Sequence, residues 1–243
     1  MVPKIIHYCW FGRGKMPELA EKCIASWKKY LPEYEYKLWN EDTFDINSVP
    51  YVKEAYESRK FAFVTDYIRL WALYNYGGVY MDTDVEILKP LNEYLKLPAF
   101  TGYEASASMS PVTGLMASAP KGIWVTEQLA YYDDKHFINP DGTLDMTPNT
   151  VTISNIMIKN GFEVTGNYGV YKEDMHVFPV DYFCPLTSTR VLKLTSNTCC
   201  IHHFAGSWVE RTRWQKFKMF VIRKMIGPKL TDTIVQLKRK LKG

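Results

Sequence analysis

At 243 residues, with 47% hydrophobic and 23% charged side chains and a net charge of +4, the chain reads as an ordinary globular protein: one large domain, or one domain with an appendage. Five cysteines without a C-x-x-C pair argue against a disulfide framework or a zinc site, and for reduced thiols in a cytoplasm-like compartment. The opening MVPKIIHYCWFG lacks the apolar core of a signal peptide, and no window reaches the length of a membrane-spanning helix.

In chain order, PKIIHYCWF (3–11) predicts a short apolar strand closed by Gly12 and Gly14. MPELAEKCIASWKKYL (16–31) predicts an amphipathic helix with Pro17 near its start and Leu19, Cys23, Ile24 and Trp27 on one stripe. YEYKLWN (34–40) alternates as a strand, and VPYVKEAYESRK (49–60) reads as helix. FAFVTDYIRLWALYNYGG (61–78) is a strong helix stopped by Gly77 and Gly78. VYMDTDVEIL (79–88) then reads as one strand. AFTGYEA and GLMASAP are shorter strands, GIWVTEQLAYYDD and TVTISNIMIKNG are helices, VYKEDMHVFP is strand-like, and CCIHHFAGSW ends the body as a strand running into a loop. Alternating strands and helices predict an α/β fold with a mixed, mostly parallel sheet flanked by helices.

Two carboxylates, Asp82 and Asp84, close the apolar run at 79–88. On a strand, Tyr80, Asp82, Asp84 and Glu86 share one face, so the aspartates emerge together near the carboxyl end, where open α/β sheets bind ligands. Carboxylates this close repel unless a cation or proton lies between them. Oxygen ligation of this kind suits Mg²⁺ or Mn²⁺, with phosphate oxygens completing the shell. Asp66 and Arg69, three apart on the preceding helix, bring two more charges towards the same rim; an intrahelical pair on a wet surface is the plainer alternative.

FAFVTDYIRLWALYNYGGVYMDTDVEIL resembles the central signature of the DXD sugar transferases, glycosyltransferase family 32, and is similar to the matching region of large clostridial glucosylating toxins. Asp66, Arg69, the glycine pair, Tyr80 and both aspartates match in order and spacing. PKIIHYCWFG resembles the family's opening strand, and IHHFAGSW its closing HHxxxSW. The resemblance implies a GT-A fold over residues 1–208, a divalent Mn²⁺ or Mg²⁺, and a UDP- or GDP-sugar donor whose sugar passes, with retained configuration, to a saccharide or lipid-linked saccharide in surface polysaccharide synthesis. It implies that Trp10 borders the nucleotide base and that Asp66 and Arg69 contact the donor sugar or ribose, with Tyr80 beside them. Asp82 would touch ribose or a metal-bound water, and Asp84 would bind the metal. His203 aligns best with a third metal ligand, with His202 the alternative. Ser207 and Trp208 would donate to the leaving diphosphate. MTPNTVT is similar to a GPxxxT-type loop near the acceptor, with Thr147 in place of the glycine and Pro148, Asn149 and Thr152 at the matching positions.

Residues 210–243 carry 11 Lys/Arg against two acids, so the body is mildly acidic and the tail (209–243) strongly basic. The tail interleaves Trp214, Phe217, Phe220, Val221 and Ile222 with its cations, and Gly227–Pro228 divides it into two predicted helices. Such a segment suits peripheral contact with an anionic membrane from the cytoplasmic side, or a solvated cap on the body. No nucleic-acid reader motif accompanies the charge. Two other functions fit parts of the pattern: a haloacid-dehalogenase-like phosphatase with Asp82 as nucleophile, and a non-catalytic sugar-nucleotide-binding protein. The phosphatase would need a later lysine and paired acids in a convincing context; the non-catalytic reading sits poorly with intact Asp66, Arg69, Asp82 and Asp84.

Overall fold

A computed structural model describes residues 1–105, 109–187 and 189–206. The first strand, β1 (Ile5–Cys9), is followed by helix α1 (Glu18–Tyr30) and strand β2 (Glu35–Trp39), which pairs parallel to β1. Acidic Glu18 and Glu21 in the first turn of α1, and Lys28 and Lys29 in the last, complement the helix dipole. Its buried face is Ala20, Cys23 and Trp27, with Leu19 and Ile24 packed beside them. Helices α2 (Pro50–Glu57) and α3 (Phe61–Tyr76) follow.

Helix α3 ends at Gly77, whose N–H donates to the Leu73 carbonyl at φ 62°. Gly78, at φ 111°, opens β3 (Gly78–Met81). A β-carbon at 78 would lie 2.6 Å from the Ile5 carbonyl oxygen, so close backbone approach and left-handed geometry both require glycine there. Strand β3 pairs parallel with β1, Ile6 opposite Val79 and His7 opposite Tyr80. The chain goes from β1 to β2 on one side and returns to β3 on the other, so the crevice beyond β1 and β3 is a topological switch point.

The expected single strand at 79–88 is two. After Met81 the backbone turns through Asp82, Thr83 and Asp84, with the Val85 N–H donating to the Asp82 carbonyl at 3.0 Å, and β4 (Val85–Ile87) leaves for a second sheet. Helix α1 draws it there: the Trp27 indole donates to the Val85 carbonyl at 2.6 Å, and the Ile87 N–H donates to Ser26 Oγ at 2.9 Å.

The remaining elements are β5 (Ala99–Gly102), β6 (Leu115–Ser118), α4 (Ile123–Ala130), α5 (Asn149–Lys159), β7 (Gly169–Tyr171), β8 (Met175–Phe178), α6 (Val180–Phe183) and β9 (Cys200–His202). The main sheet has the order β2-β1-β3-β6-β5-β8-β7, and all but β6 and β7 point the same way. The expected mixed, mostly parallel sheet is therefore observed in strand direction. The strand-like stretch 170–179 folds as a hairpin of β7 and β8, because Lys172 and Glu173 take positive φ without a glycine to announce the turn.

Helices α2, α3, α4 and α5 cover one face of the sheet around Val64, Ile68, Trp124 and Ile153. Helix α1, α6 and the β4–β9 pair cover the other around Trp27, Val85 and Phe183. All five cysteines are free and buried. Among the described residues no helix is long and apolar enough to cross a membrane. The basic tail (209–243) lies outside the described residues.

Candidate active site

Beyond the carboxyl ends of β1 and β3 opens a cavity of about 630 Å³. Trp10 and Phe11 line it after β1, Asp66 and Arg69 from α3, Asp82 to Asp84 after β3, and His202 from β9. The aspartates converge through the turn at 82–84, which replaces the strand alternation that the sequence suggested.

Strand β9 pairs antiparallel with β4, placing His202 opposite Val85. Its Nε2 lies 3.4 Å from Asp84 Oδ1 and 3.9 Å from Asp82 Oδ2, and one ligand atom from each of the three residues falls within 4.8 Å of the others. His203 faces elsewhere: its Nε2 lies 2.8 Å from Glu86 Oε2. The sequence placed His203 first; the register of β9 brings His202 to the carboxylates. Burial works against charge on His202, but hydrogen bonding and charge from Asp84, and after it from Cys184, outweigh it and hold the imidazole well above its ordinary value. Burial would likewise raise Asp84, and the same contact holds its carboxyl below the ordinary value.

The donor set fits a divalent cation: two carboxylate oxygens and one imidazole nitrogen, with the His202 Nδ1 3.4 Å from Thr113 Oγ1. Room is kept by Gly114, where a β-carbon would sit 2.7 Å from Asp82 Oδ2 and 3.2 Å from His202 Cε1. The Gly114 carbonyl accepts the Asp82 N–H at 2.8 Å, so this glycine braces the site it leaves open.

The Asp66–Arg69 pair is buried, unlike the wet surface pair that was the plainer expectation. Arg69 Nη2 lies 3.1 Å from Asp66 Oδ1 and 3.5 Å from Asp82 Oδ1, and its guanidinium sits 4.7 Å over the Tyr80 ring. Tyr80 in turn donates to Asp82 Oδ1 at 2.9 Å. Helix α5 supplies the other partner of Asp66: the Asn149 N–H donates to Oδ2 at 3.1 Å, putting a carboxylate at a helix N-terminus. Burial nevertheless pushes Asp66 up to about 6, with Arg69 and the Asn149 N–H only partly offsetting it. Pro148 and Asn149, at the matching positions of the expected acceptor loop, line the cavity; Thr152 is buried beside them.

Trp10 is partly exposed at the cavity wall, its indole donating to the Gly14 carbonyl at 2.6 Å. Ser207 and Trp208 lie outside the described residues. Sequence reasoning did not single out Thr113, Gly114, Arg190 or Phe204. Of these, only Gly114, a glycine at the entrance of a predicted strand, gave a signal.

This fold and site define an α/β protein with a candidate cation site in the crevice at its switch point. A family model described as "Glycosyltransferase sugar-binding region containing DXD motif" matches residues 17–101, about a third of the chain. The chain is 32% identical over 116 residues to inositol phosphoceramide mannosyltransferase 3 of Schizosaccharomyces pombe, covering 45% of this chain and 32% of that protein. It is 29% identical over 146 residues to mannosyl phosphorylinositol ceramide synthase CSH1 of Saccharomyces cerevisiae, covering 57% and 38%. The chain thus spans about a third of the length of these relatives. A solved glycosyltransferase involved in glycosylation of the major capsid of PBCV-1 superimposes with a TM-score of 0.50 at 13% identity, over 90% of this chain and 100% of that one. The GT-A architecture implied by the sequence is the one observed.

Proposed function

We propose that this protein is a metal-dependent glycosyltransferase that moves a sugar from a UDP- or GDP-sugar to a hydroxyl of a saccharide or lipid-linked saccharide, in the synthesis of a surface glycan. One observation carries the reading: Asp82, Asp84 and His202 converge beside the buried Asp66–Arg69 pair in a single cavity at the β1–β3 switch point.

Asp82, Asp84 and His202 would hold Mn²⁺ or Mg²⁺. When bound, such an ion acts as a Lewis acid that neutralises charge on the departing diphosphate. Asp66, ionised above a pH of about 6, accepts hydrogen bonds from sugar hydroxyls, and Arg69 supplies donors on the same wall. Trp10 offers an aromatic edge for the base. Ser207 and Trp208 are assigned to the leaving diphosphate by family resemblance. Retention of configuration needs no protein nucleophile if the departing phosphate helps to deprotonate the acceptor on the same face. Asp82 makes a poor phosphatase nucleophile, because its Oδ1 is engaged by Tyr80 and Arg69. The relatives' names point to mannose as the sugar and to an inositol phosphoceramide acceptor; mannose is the part carried over here. The basic tail suits an acceptor presented at an anionic membrane.

The test is a thermal-shift panel of UDP- and GDP-sugars with Mn²⁺, run on wild type and Asp84→Asn. Stabilisation by one donor, lost in the variant, is expected. Phosphomonoester hydrolysis with no response to any nucleotide sugar would replace this reading with the phosphatase.

A further inference from the structure

Between α6 and β9 the chain turns back on itself, with Arg190 and Val191 bonded to Thr187. The Arg190 N–H donates to the Thr187 carbonyl at 2.8 Å, the Thr187 N–H to the Val191 carbonyl at 2.9 Å, and the Val191 N–H to Thr187 Oγ1 at 3.0 Å. Arg190 sits in this turn at φ 72°, where glycine is the unstrained choice. An arginine in that conformation points to a task for its side chain.

Its guanidinium reaches across to the strand that delivers His202. Nη1 donates to the His203 carbonyl at 2.5 Å and Nη2 to the Phe204 carbonyl at 3.2 Å, one fork on two consecutive carbonyls. Phe204 is also left-handed, at φ 48°, and its ring stacks on the His202 imidazole with centroids 4.3 Å apart and planes 29° apart. One residue further, the Ala205 N–H donates to Asp84 Oδ2 at 2.7 Å. Arg190, Phe204 and His202 all line the cavity.

We propose that Arg190 is a positioning residue. Its fork fixes the backbone at 203–204, and the backbone holds the Phe204 ring over His202. The ring then sets the imidazole with Nε2 towards Asp82 and Asp84. Lysine cannot substitute, because a single ammonium does not present two donors in a fixed plane. The effect on cation affinity rests on reading Asp82, Asp84 and His202 as cation ligands; the effect on ring placement does not.

The decisive variant is Arg190→Gly, which suits the turn's backbone and so keeps the fold. Histidine ring resonances of the cation-free protein are followed by NMR, with His202 assigned through His202→Gln. In wild type the His202 ring protons are displaced by the Phe204 ring current. In Arg190→Gly and in Phe204→Ala that displacement is lost, while Arg190→Gly melts no lower than wild type. Mn²⁺ affinity, read from the free-ion EPR signal, falls about tenfold or more in Arg190→Gly and Arg190→Lys. A purely structural role would lower the melting temperature and leave the His202 signals in place. Unchanged His202 resonances in Arg190→Gly overturn the proposal whatever the Mn²⁺ result. Altered resonances in a protein whose wild type binds no Mn²⁺ uphold the positioning role and remove the cation reading instead.

Discussion

The Nε2 of His7 lies 2.7 Å from the carbonyl oxygen of Gly77, 70 residues along the chain, while its Nδ1 accepts the Trp39 indole N–H at 3.1 Å. Together these contacts specify a neutral ring protonated on Nε2. A second proton, on Nδ1, would face the Trp39 N–H. The imidazole pins β1 to the turn that launches β3, so the position of Asp82 depends on it.

Burial depresses His7 to about 4, with the Gly77 carbonyl opposing. The unfolded chain takes up the proton near pH 6.5, and the native state refuses it until about 4. This contribution is therefore complete above pH 6.5 and is lost as pH falls towards 4, by about 3 kcal/mol in all. Urea unfolding of wild type and His7→Asn from pH 7.5 to 4 should show their stability difference shrinking with acidity. A difference that does not vary with pH would refute the neutral-ring account.

Asp66 acts with the opposite sign. Its native value of about 6 lies above the unfolded carboxylate, so the native state binds the extra proton and gains stability as pH falls from 6 towards 4. At pH 7 the buried charge costs on the order of 3 kcal/mol relative to a neutral group. Asp66→Asn keeps an acceptor for the Asn149 N–H and removes that charge. The variant should be at least as stable as wild type at pH 7, with its advantage fading towards pH 4, and should have lost sugar transfer. Lower stability at pH 7 together with retained transfer would contradict both halves.

Gly114 offers a test of space alone. A β-carbon there would meet the Asp82 carboxylate at 2.7 Å and the His202 ring at 3.2 Å, in an otherwise ordinary backbone conformation. Gly114→Ala should cost about 1–3 kcal/mol in stability and weaken Mn²⁺ binding more than about tenfold, as measured by titration calorimetry. Cation affinity equal to wild type would mean that the carboxylates do not need this gap.

Helix α3 was legible because its apolar pattern, its length and the glycine pair at its end all agree. The match of Asp66, Arg69 and the two aspartates to the DXD signature was legible for the same reason: the four lie within 19 residues of one another. The break at 82–84 was not. It contains no glycine or proline, and Val85–Ile87 continues the strand chemistry. What bends the chain is α1 on one side and β9 on the other, more than 50 residues before and more than 110 after. The choice between His202 and His203 has the same origin. Strand alternation says that one of them faces inward, but only the pairing of Val85 with His202 says which. Arg190 and Phe204 hold backbone conformations that their residue types disfavour, so propensity pointed away from them.

That register gives a sharp contrast between neighbouring histidines. His202 lies 9% exposed between two carboxylates, whereas His203 meets Glu86 at the edge of the small sheet. His202→Ala should abolish measurable Mn²⁺ binding and donor hydrolysis. His203→Ala should leave Mn²⁺ affinity within about threefold of wild type, because it removes only a partly exposed pair worth about 1 kcal/mol or less. Asp84→Asn is the control: its side-chain oxygen still accepts the Ala205 N–H, so the fold holds while the anionic ligand is gone. Mn²⁺ titrations of the three variants, with circular dichroism to confirm folding, give the answer. Loss of binding in His203→Ala with retention in His202→Ala would reverse the assignment and require β9 to shift by one residue against β4.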